Sequence, residues 1–275
     1  MNAVTRNVAP GGVVRPGTSG PDAGGGVGCH GGGMTSRLVL VRHGESEGNV
    51  AATRAERSGA DTVGITTRDA DTPLSPTGED QARALGAHLA TVPATERPDA
   101  VWCSPYARAR RTTELVLDKA GLDLAPVVDE RLRDRELGIL DGLTSHGVAR
   151  RFPDEDARRA RLGKMYYRPP GGESWADVAL RLRSLLNDLA AAEPPGRTVL
   201  VVCHDAVIWL LRYVCEGLTE DELMARVAEQ SVRNASLTVL AADDRGPWRV
   251  ERFDDVGHLA AQDEPVTEHP GQGDA

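Results

Sequence analysis

The chain contains 275 residues, 27% of them charged and 40% hydrophobic, which are proportions typical of a soluble globular protein. Its formal net charge of −9 argues against nucleic acid and anionic membranes as partners, because both are bound through lysine and arginine side chains that neutralise phosphates. The four cysteines form no C-x-x-C pair, and no apolar stretch approaches the roughly 18 residues of a membrane span, so we expect a cytoplasmic protein.

The two ends of the chain differ in composition from the middle. Residues 1–33 are rich in glycine, proline and valine and include the run GGGVGCHGGG, which offers too little apolar surface to offset the entropy lost on ordering. We predict a disordered leader over residues 1–33, one folded domain over residues 34–256, and a polar, disordered tail over residues 257–275.

From Arg37 to Ala242, short apolar runs alternate with helical patterns. In chain order we predict a strand at Leu38–Val41, a helix at Pro76–Leu89, a strand at Ala100–Cys103, a helix from Ser104 to Ala120, a strand at Leu124–Val128, a helix at Glu173–Ala191, a strand at Thr198–Cys203, a helix at Ala206–Glu216, and closing strands at Ala235–Ala241 and Trp248–Phe253. Ser75 and Ser104 each precede a proline, the pattern of a helix N-cap. Strands alternating with helices predict an α/β fold, a three-layer sandwich with a mostly parallel central sheet flanked by helices.

Basic and ionisable side chains follow three of these strands. The first strand runs into Arg42 and His43, the second leads to a helix that carries Arg108, and the strand at 198–203 runs into His204. Ligands of parallel α/β sheets bind beyond the carboxyl ends of the strands, so these four side chains converge if the strands are neighbours. Such a cationic cluster in an acidic chain requires an anion, and phosphate suits it because arginine binds phosphate bidentately. Each residue taken alone is more often structural or solvated, so the functional prediction depends on their combination.

Several blocks of the chain then resemble one family. The run LVLVRHGESEGN, from Leu38 to Asn49, resembles the signature of the histidine phosphatase superfamily, also called phosphoglycerate-mutase-like, and contains its R-H-G motif. Further similar blocks, in the family's order, are Pro73–Leu89, Cys103–Thr112, Pro170–Ser174 and Val201–Ala206. The family's serine followed four positions later by arginine selects Arg108 over Arg110 and Arg111. The resemblance spans Arg37 to Ala242.

The resemblance implies a role for each residue. His43 is the implied nucleophile, which forms a covalent phosphohistidine. Arg42, Arg108 and His204 are implied to bind the phosphoryl oxygens, with Asn49 near the substrate and His204 also stabilising charge on the transferring group. No metal and no cofactor are implied, because the arginines and a protonated histidine supply the positive charge. A homodimer is consistent with the resemblance.

The chemistry makes demands on His43 that can be checked. Its attacking nitrogen must be neutral, and nearby arginines favour that form because positive charge lowers a histidine pKa. Its other ring nitrogen should donate a hydrogen bond to a backbone carbonyl, which fixes the tautomer. The leaving oxygen also needs a proton from a carboxylic acid.

Two acids are candidates for that proton donor. In RLRDRELGILDGL, the family's glutamate four residues before a glycine aligns with Asp134, whose side chain is one methylene shorter. We choose Asp134, because a shift of two positions to Glu136 would break the match at Leu132 and Gly138. The alternative is that Asp134 pairs with an arginine and Glu136 donates the proton.

The segment Thr144–Pro169 bears on the reaction class. It carries seven cations, Arg150, Arg151, Arg158, Arg159, Arg161, Lys164 and Arg168. They form either a solvated helical face or a basic lid that recognises a second anionic group of the substrate. The segment is shorter than the corresponding insertion of cofactor-dependent phosphoglycerate mutases, which favours entry of water and hydrolysis. We therefore predict a phosphomonoester hydrolase acting on a small phosphorylated metabolite, with a cofactor-dependent phosphoglycerate mutase and an inactive phosphate-binding regulatory module as alternatives.

Overall fold

The computed structural model describes residues 35–243 and 247–269. The predicted leader lies outside the described residues, as do residues 270–275 of the predicted tail. Along the described part of the chain, no helix is both long and apolar enough to cross a membrane.

Strands and helices alternate over the described residues. The strands are β1 (Thr35–Arg42), β2 (Ala100–Cys103), β3 (Val127–Val128), β4 (Thr198–Cys203), β5 (Leu237–Asp243) and β6 (Arg249–Asp255). The helices are α1 (Glu47–Ser58), α2 (Pro76–Thr91), α3 (Ala107–Ala120), α4 (Ser145–Arg151), α5 (Pro153–Tyr166), α6 (Trp175–Ala192), α7 (Asp205–Glu216), α8 (Glu220–Glu229) and α9 (Gly257–Ala260). Each predicted strand and helix is present, with ends that shift by a few residues.

The strands form one sheet in the order β3-β2-β4-β1-β5-β6. The pairs β1–β4, β2–β4 and β2–β3 are parallel, whereas β5 and β6 pair antiparallel at one edge. Arg42 of β1 lies opposite Cys203 of β4, and Cys103 of β2 lies opposite Val202. The predicted α/β fold with a mostly parallel central sheet is therefore confirmed, and three strands end side by side at the same edge.

Helices cover both faces of the sheet. Leu38 and Leu40 of β1 pack into a core with α6 and α7, whereas Val39 and Val41 pack into a second core with α2 and α3. A strand buried on both faces reads as a continuous apolar run, which explains why β1 and β4 were recognisable in the sequence.

The two predicted helix caps have different outcomes. Ser75 caps α2 as predicted, accepting a hydrogen bond from the backbone N–H of Gly78, with Pro76 at the first helical position. Ser104 is not a cap, because α3 begins only at Ala107 with Tyr106 before it. The Ser104 hydroxyl is instead hydrogen-bonded to the imidazole of His204, 2.8 Å away. Its partner is therefore a side chain distant in sequence and not the N–H groups of the following helix.

The boundary predicted for the disordered tail, at residue 257, lies too early in the chain. Residues 257–260 form α9, Leu259 is fully buried, and Gln262 donates to the carbonyl of Ala84 at 2.8 Å. Gln81 of α2 also donates to the carbonyl of Pro265. The prediction of disorder is therefore wrong for residues 257–269, because hydrogen bonds to buried polar groups of the domain order a segment that has few apolar residues.

Candidate active site

The ends of β1 and β4 bring His43 and His204 together. Their ring centroids are 5.1 Å apart, and the backbone N–H of His43 donates to the carbonyl of Cys203 at 3.0 Å. Four predicted site residues are almost fully buried, with exposed fractions of 2% for Arg42, 2% for His43, 4% for Arg108 and 0% for His204. The expected convergence of two histidines and two arginines is present in the structure.

His43 has the ring geometry that its predicted chemistry demands. Its Nδ1 lies 2.7 Å from the carbonyl oxygen of Gly44, which can only accept, so Nδ1 carries the hydrogen and Nε2 holds the lone pair. Burial, followed by the charges of Arg108, His204 and Arg42, holds the pKa of His43 well below its usual value. The imidazole is therefore neutral at neutral pH, and its Nε2 has the lone pair that the predicted nucleophile requires.

The backbone around His43 is tightly packed. A Cβ on Gly44 would lie 2.3 Å from the carbonyl oxygen of Gly78, at the N-terminus of α2. Only glycine fits this crossing, which explains the glycine of the R-H-G motif in terms of packing.

Arg108 projects from the first turn of α3 and is held by carboxylates. Its Nη1 and Nη2 lie 3.0 and 3.1 Å from the two carboxylate oxygens of Asp69, and Nη2 lies 3.2 Å from Oδ2 of Asp134. Its Nε is 3.2 Å from Nε2 of His43. Sequence reasoning missed Asp69, which lies in a non-periodic segment between α1 and α2 without a recognisable motif.

Arg42 is anchored by main-chain carbonyls. Its Nη1 donates to the carbonyl of Val232 and its Nη2 donates to the carbonyl of His269 at 2.8 Å. Its Nε is buried and has no hydrogen-bond partner. The His269 imidazole is itself fixed, with Nε2 2.8 Å from Glu45 and Nδ1 2.6 Å from the Thr53 hydroxyl. Part of the predicted disordered tail therefore orients a predicted phosphate-binding residue.

His204 differs from the expectation in its charge. Burial, then Arg108, Arg181 and Arg42, lowers its pKa well below the usual value, so it is neutral without a bound anion. The expected protonated form is therefore not the resting form, since three guanidinium groups surround a buried ring. Its Nδ1 lies 3.3 Å from Oδ2 of Asp134. A bound phosphoryl dianion would reverse this trend by stabilising the imidazolium.

Asn49 lines the cavity and also has a structural role. Its side-chain oxygen accepts from the backbone N–H of Ser46, forming a capping box at the start of α1. The same oxygen accepts from Asn234, which donates as well to the carbonyl of His43 at 3.1 Å. Asn234 was not identified from the sequence, where it precedes β5 without a motif.

The two candidate proton donors both line the cavity but differ in surroundings. Oδ2 of Asp134 contacts Arg108 at 3.2 Å and His204 at 3.3 Å. Glu136 accepts from the Tyr106 hydroxyl at 3.0 Å and has a side chain that is 49% exposed. Asp134 therefore has the arginine partner that the alternative assignment expects, but it also contacts the residues predicted to hold the phosphoryl group, whereas Glu136 lies towards solvent.

The cations of the segment 144–169 lie outside the cavity. Arg150 and Arg151 form ion pairs with Asp61, at 3.1 and 3.6 Å, and Arg168 pairs with Asp177. Arg150 and Arg168 are 65% and 62% exposed. None of the seven lines the cavity within the described residues. The structure therefore supports the solvated face for Arg150, Arg151 and Arg168, which pair with surface carboxylates, while Lys164 lies over the ring of Trp175, a residue that lines the cavity.

Across residues 35–243 and 247–269, no three His, Cys, Asp or Glu side chains form a group suited to holding a metal ion.

Comparison with known proteins places this geometry in context. Residues 38–256 match the sequence model of the histidine phosphatase superfamily (branch 1). A 2,3-bisphosphoglycerate-dependent phosphoglycerate mutase from Methylobacterium radiotolerans is 34% identical over 69% of this chain and 84% of the mutase. A mycobacterial glucosyl-3-phosphoglycerate phosphatase structure is 30% identical, with a TM-score of 0.63 over 80% of this chain and 99% of that chain. The alpha-ribazole phosphatase from Shigella flexneri is 21% identical over 80% of this chain and 96% of that chain, with a TM-score of 0.64, and shares the fold.

Proposed function

Since the chain belongs to the histidine phosphatase superfamily, we propose that it is a phosphomonoester hydrolase that acts through a phosphohistidine on His43. The observation that carries this proposal is the state of His43. Its Nδ1 is bonded to the Gly44 carbonyl, and burial beside Arg108 keeps the imidazole neutral, with an Nε2 lone pair that accepts from Nε of Arg108 until substrate takes that position.

Phosphoryl binding relies on the buried cations. The unpartnered Nε of Arg42 and the guanidinium of Arg108 are donors for the phosphoryl oxygens, and His204 gains a proton as the anion raises its pKa. Arg108 must exchange its bonds to Asp69 for bonds to the substrate, and arginine binds phosphate bidentately. The fixed positive charge then stabilises the transition state without reorganisation.

The first step transfers the phosphoryl group to the enzyme. Nε2 of His43 forms a bond to phosphorus while the bond from phosphorus to the ester oxygen breaks in line. The protonated carboxyl of Asp134 gives its proton to the departing oxygen, which leaves as an alcohol. Asp134 is our choice of donor because its carboxyl contacts both Arg108 and His204.

The second step regenerates the enzyme. Water attacks phosphorus, its proton passes to the Asp134 carboxylate, and the bond between phosphorus and Nε2 breaks. Inorganic phosphate leaves, and His43 recovers its lone pair. No metal enters either step as we propose it.

A mutase is the second candidate, favoured by the 34% identity to a phosphoglycerate mutase. In that reaction another hydroxyl of the product replaces water as the acceptor. Arg150, Arg151 and Arg168, which could hold a bisphosphate during reorientation, are paired with carboxylates at the surface instead, which supports hydrolysis.

The decisive experiment measures phosphate release from p-nitrophenyl phosphate in EDTA. We expect turnover by the wild type, loss of turnover in His43→Ala, and normal turnover in His146→Ala, a control histidine that is 52% exposed and lies outside the cavity. Rapid quenching should trap an acid-labile phosphoryl adduct that His43→Ala cannot form.

Three outcomes would contradict the proposal. Equal rates in His43→Ala and the wild type would show that His43 is not the nucleophile. Phosphate binding without any turnover would support the inactive regulatory module. Conversion of 3- to 2-phosphoglycerate, primed by the bisphosphate and faster than hydrolysis, would establish the mutase.

A further inference from the structure

The cavity around His43 contains more negative than positive side chains. Its described lining includes the guanidinium groups of Arg42, Arg108 and Arg135 and the carboxylates of Asp69, Asp134, Glu136, Asp141 and Asp205. When all are ionised, carboxylates outnumber guanidinium groups by five to three. A site that binds a phosphoryl dianion alone would be expected to have the opposite balance, because like charges repel at short range.

The phosphoryl end of this cavity is a built ligand site. Arg42 lines the cavity, is only 2% exposed, and its Nε has no hydrogen-bond partner. His204 is fully buried, and its Nδ1 forms no hydrogen bond, although the Asp134 carboxylate lies 3.3 Å away. Buried polar groups without partners are rare in proteins and indicate atoms that a ligand completes. The carboxylates are therefore the neighbours of a bound phosphomonoester.

The carboxylates divide into two groups by their partners. Asp69 and Asp134 contact Arg108, and Asp205 accepts from the backbone N–H of Val232. Glu136 has Arg133 as an ion-pair partner at a distance of 3.9 Å, and the charge of Arg68 acts on it from further away. Within residues 35–243 and 247–269, no arginine, lysine or histidine forms an ion pair with Asp141. Glu136 and Asp141 are thus the acidic side chains of the cavity with the weakest cationic compensation.

The surroundings of Asp141 show the effect of this crowding. Burial raises its pKa and the negative charges of Asp69 and Glu136 raise it further, whereas the Gly142 backbone and the charge of Arg108 lower it. A positive group placed between Asp141 and Glu136 would relieve that repulsion.

A negatively charged leaving group has little to bind in this part of the cavity. Arg135 already donates to the Glu173 carbonyl at 2.8 Å, and Arg42 and Arg108 serve the phosphoryl group. The cations of residues 144–169 do not line the cavity among the described residues. A carboxylate on the leaving group would therefore face Glu136 and Asp141 at a cost in binding energy.

We propose that the leaving group of the substrate is a protonated amine, bound by Glu136 and Asp141 while Arg42, Arg108 and His204 hold the phosphoryl group. This inference rests on the proposed function and adds the substrate class, an amino-alcohol phosphomonoester. It also separates this chain from relatives named for phosphoglycerate substrates, whose leaving groups carry a carboxylate.

Three substrates of matched length test the charge preference. They are 2-aminoethyl phosphate, 2-hydroxyethyl phosphate and phosphoglycolate, whose leaving groups are cationic, neutral and anionic at pH 7. We expect kcat/KM for 2-aminoethyl phosphate to exceed that for 2-hydroxyethyl phosphate by about tenfold, with phosphoglycolate lower still, since two partly exposed ion pairs each contribute about threefold to fivefold.

Variants assign the preference to the two side chains. In the double variant Glu136→Gln, Asp141→Asn, the ratio of kcat/KM for the amino to the hydroxyl substrate should fall close to one. A ratio within one protein preparation is insensitive to the fraction that is folded. Asp154→Asn removes an exposed carboxylate at the start of α5 and should retain the wild-type ratio. An unchanged ratio in the double variant would overturn the proposal.

The outcomes separate this inference from the proposed function. Turnover that depends on His43, with 2-hydroxyethyl phosphate or phosphoglycolate preferred, would overturn the inference and leave the hydrolase standing. If no substrate is turned over, titration calorimetry with 2-aminoethylphosphonate and propylphosphonate measures the same preference by binding. Equal dissociation constants for the two phosphonates would overturn the inference, and tighter binding of the aminophosphonate would support it.

Discussion

Two parts of one cavity are built in different ways. The phosphoryl part consists of His43, His204, Arg42 and Arg108, which follow buried strands and are at most 4% exposed. The leaving-group part consists of Glu136 and Asp141, which lie outside the α-helices and strands, and the Glu136 side chain is 49% exposed. Rigid strand ends hold the atoms that must be placed accurately for phosphoryl transfer, whereas loops can change without disturbing them. Under our proposals, phosphoryl transfer depends on the first part and substrate choice on the second.

The largest effect should come from removing a cation of the phosphoryl part. Arg108→Ala should lower kcat/KM for p-nitrophenyl phosphate by about a thousandfold, because one preorganised donor to the transferring group contributes on that scale. Arg110→Ala, two residues along α3 and exposed, is the matched control and should stay close to wild type. Similar losses in the two variants would show that the arginines act only through their general positive charge. The distinction between an accurately built phosphoryl part and the rest of the cavity would then fail.

The proton donor links the two parts and should give the next largest effect. Asp134→Ala should lower kcat about a hundredfold for an alkyl phosphate, and far more than Glu136→Ala does. With p-nitrophenyl phosphate the Asp134→Ala loss should be smaller, since p-nitrophenolate leaves without a proton. A larger loss in Glu136→Ala would show that Glu136 is the proton donor, so that a residue of the leaving-group part takes part in catalysis.

A smaller effect is expected from the C-terminal segment that supports Arg42. His269→Ala removes the imidazole that binds Glu45 and Thr53, and should loosen the carbonyl that accepts from Arg42. We expect the inhibition constant for inorganic phosphate to rise about fivefold, the scale of one hydrogen bond, with little change in kcat. Val266→Ala, in the same segment and 44% exposed, should leave that constant unchanged. Unaltered phosphate inhibition in His269→Ala would show that the segment is not needed for positioning.

The smallest effect is expected from acid. A histidine attacks only in its neutral form, and the pKa of His43 lies well below 6.5, so activity should persist as the pH falls through 6.5. We expect kcat/KM at pH 5.5 to drop less than about twofold after correction for substrate titration, where a histidine of ordinary pKa would lose about tenfold. Circular dichroism at both pH values controls for unfolding. A tenfold loss with the fold intact would show that the pKa of His43 is not lowered.

The sequence by itself determined the fold class, the sheet strands and the residues at their ends. Continuous apolar runs identify β1 and β4 because both faces are buried, and the R-H-G block and the Ser104-to-Arg108 spacing are local patterns. Parallel pairing then placed His43 beside His204 without further information.

Only the tertiary structure decided the partners of the charged groups. Arg108 meets Asp69 across 39 residues of chain, and Arg42 meets the carbonyl of His269 across 227. The cations of residues 144–169 suggest a basic lid in sequence, yet Arg150 and Arg151 pair with Asp61 at the surface. The sign of each charge can be read from the sequence, but its partner cannot, because electrostatic interactions depend on distances that folding alone sets.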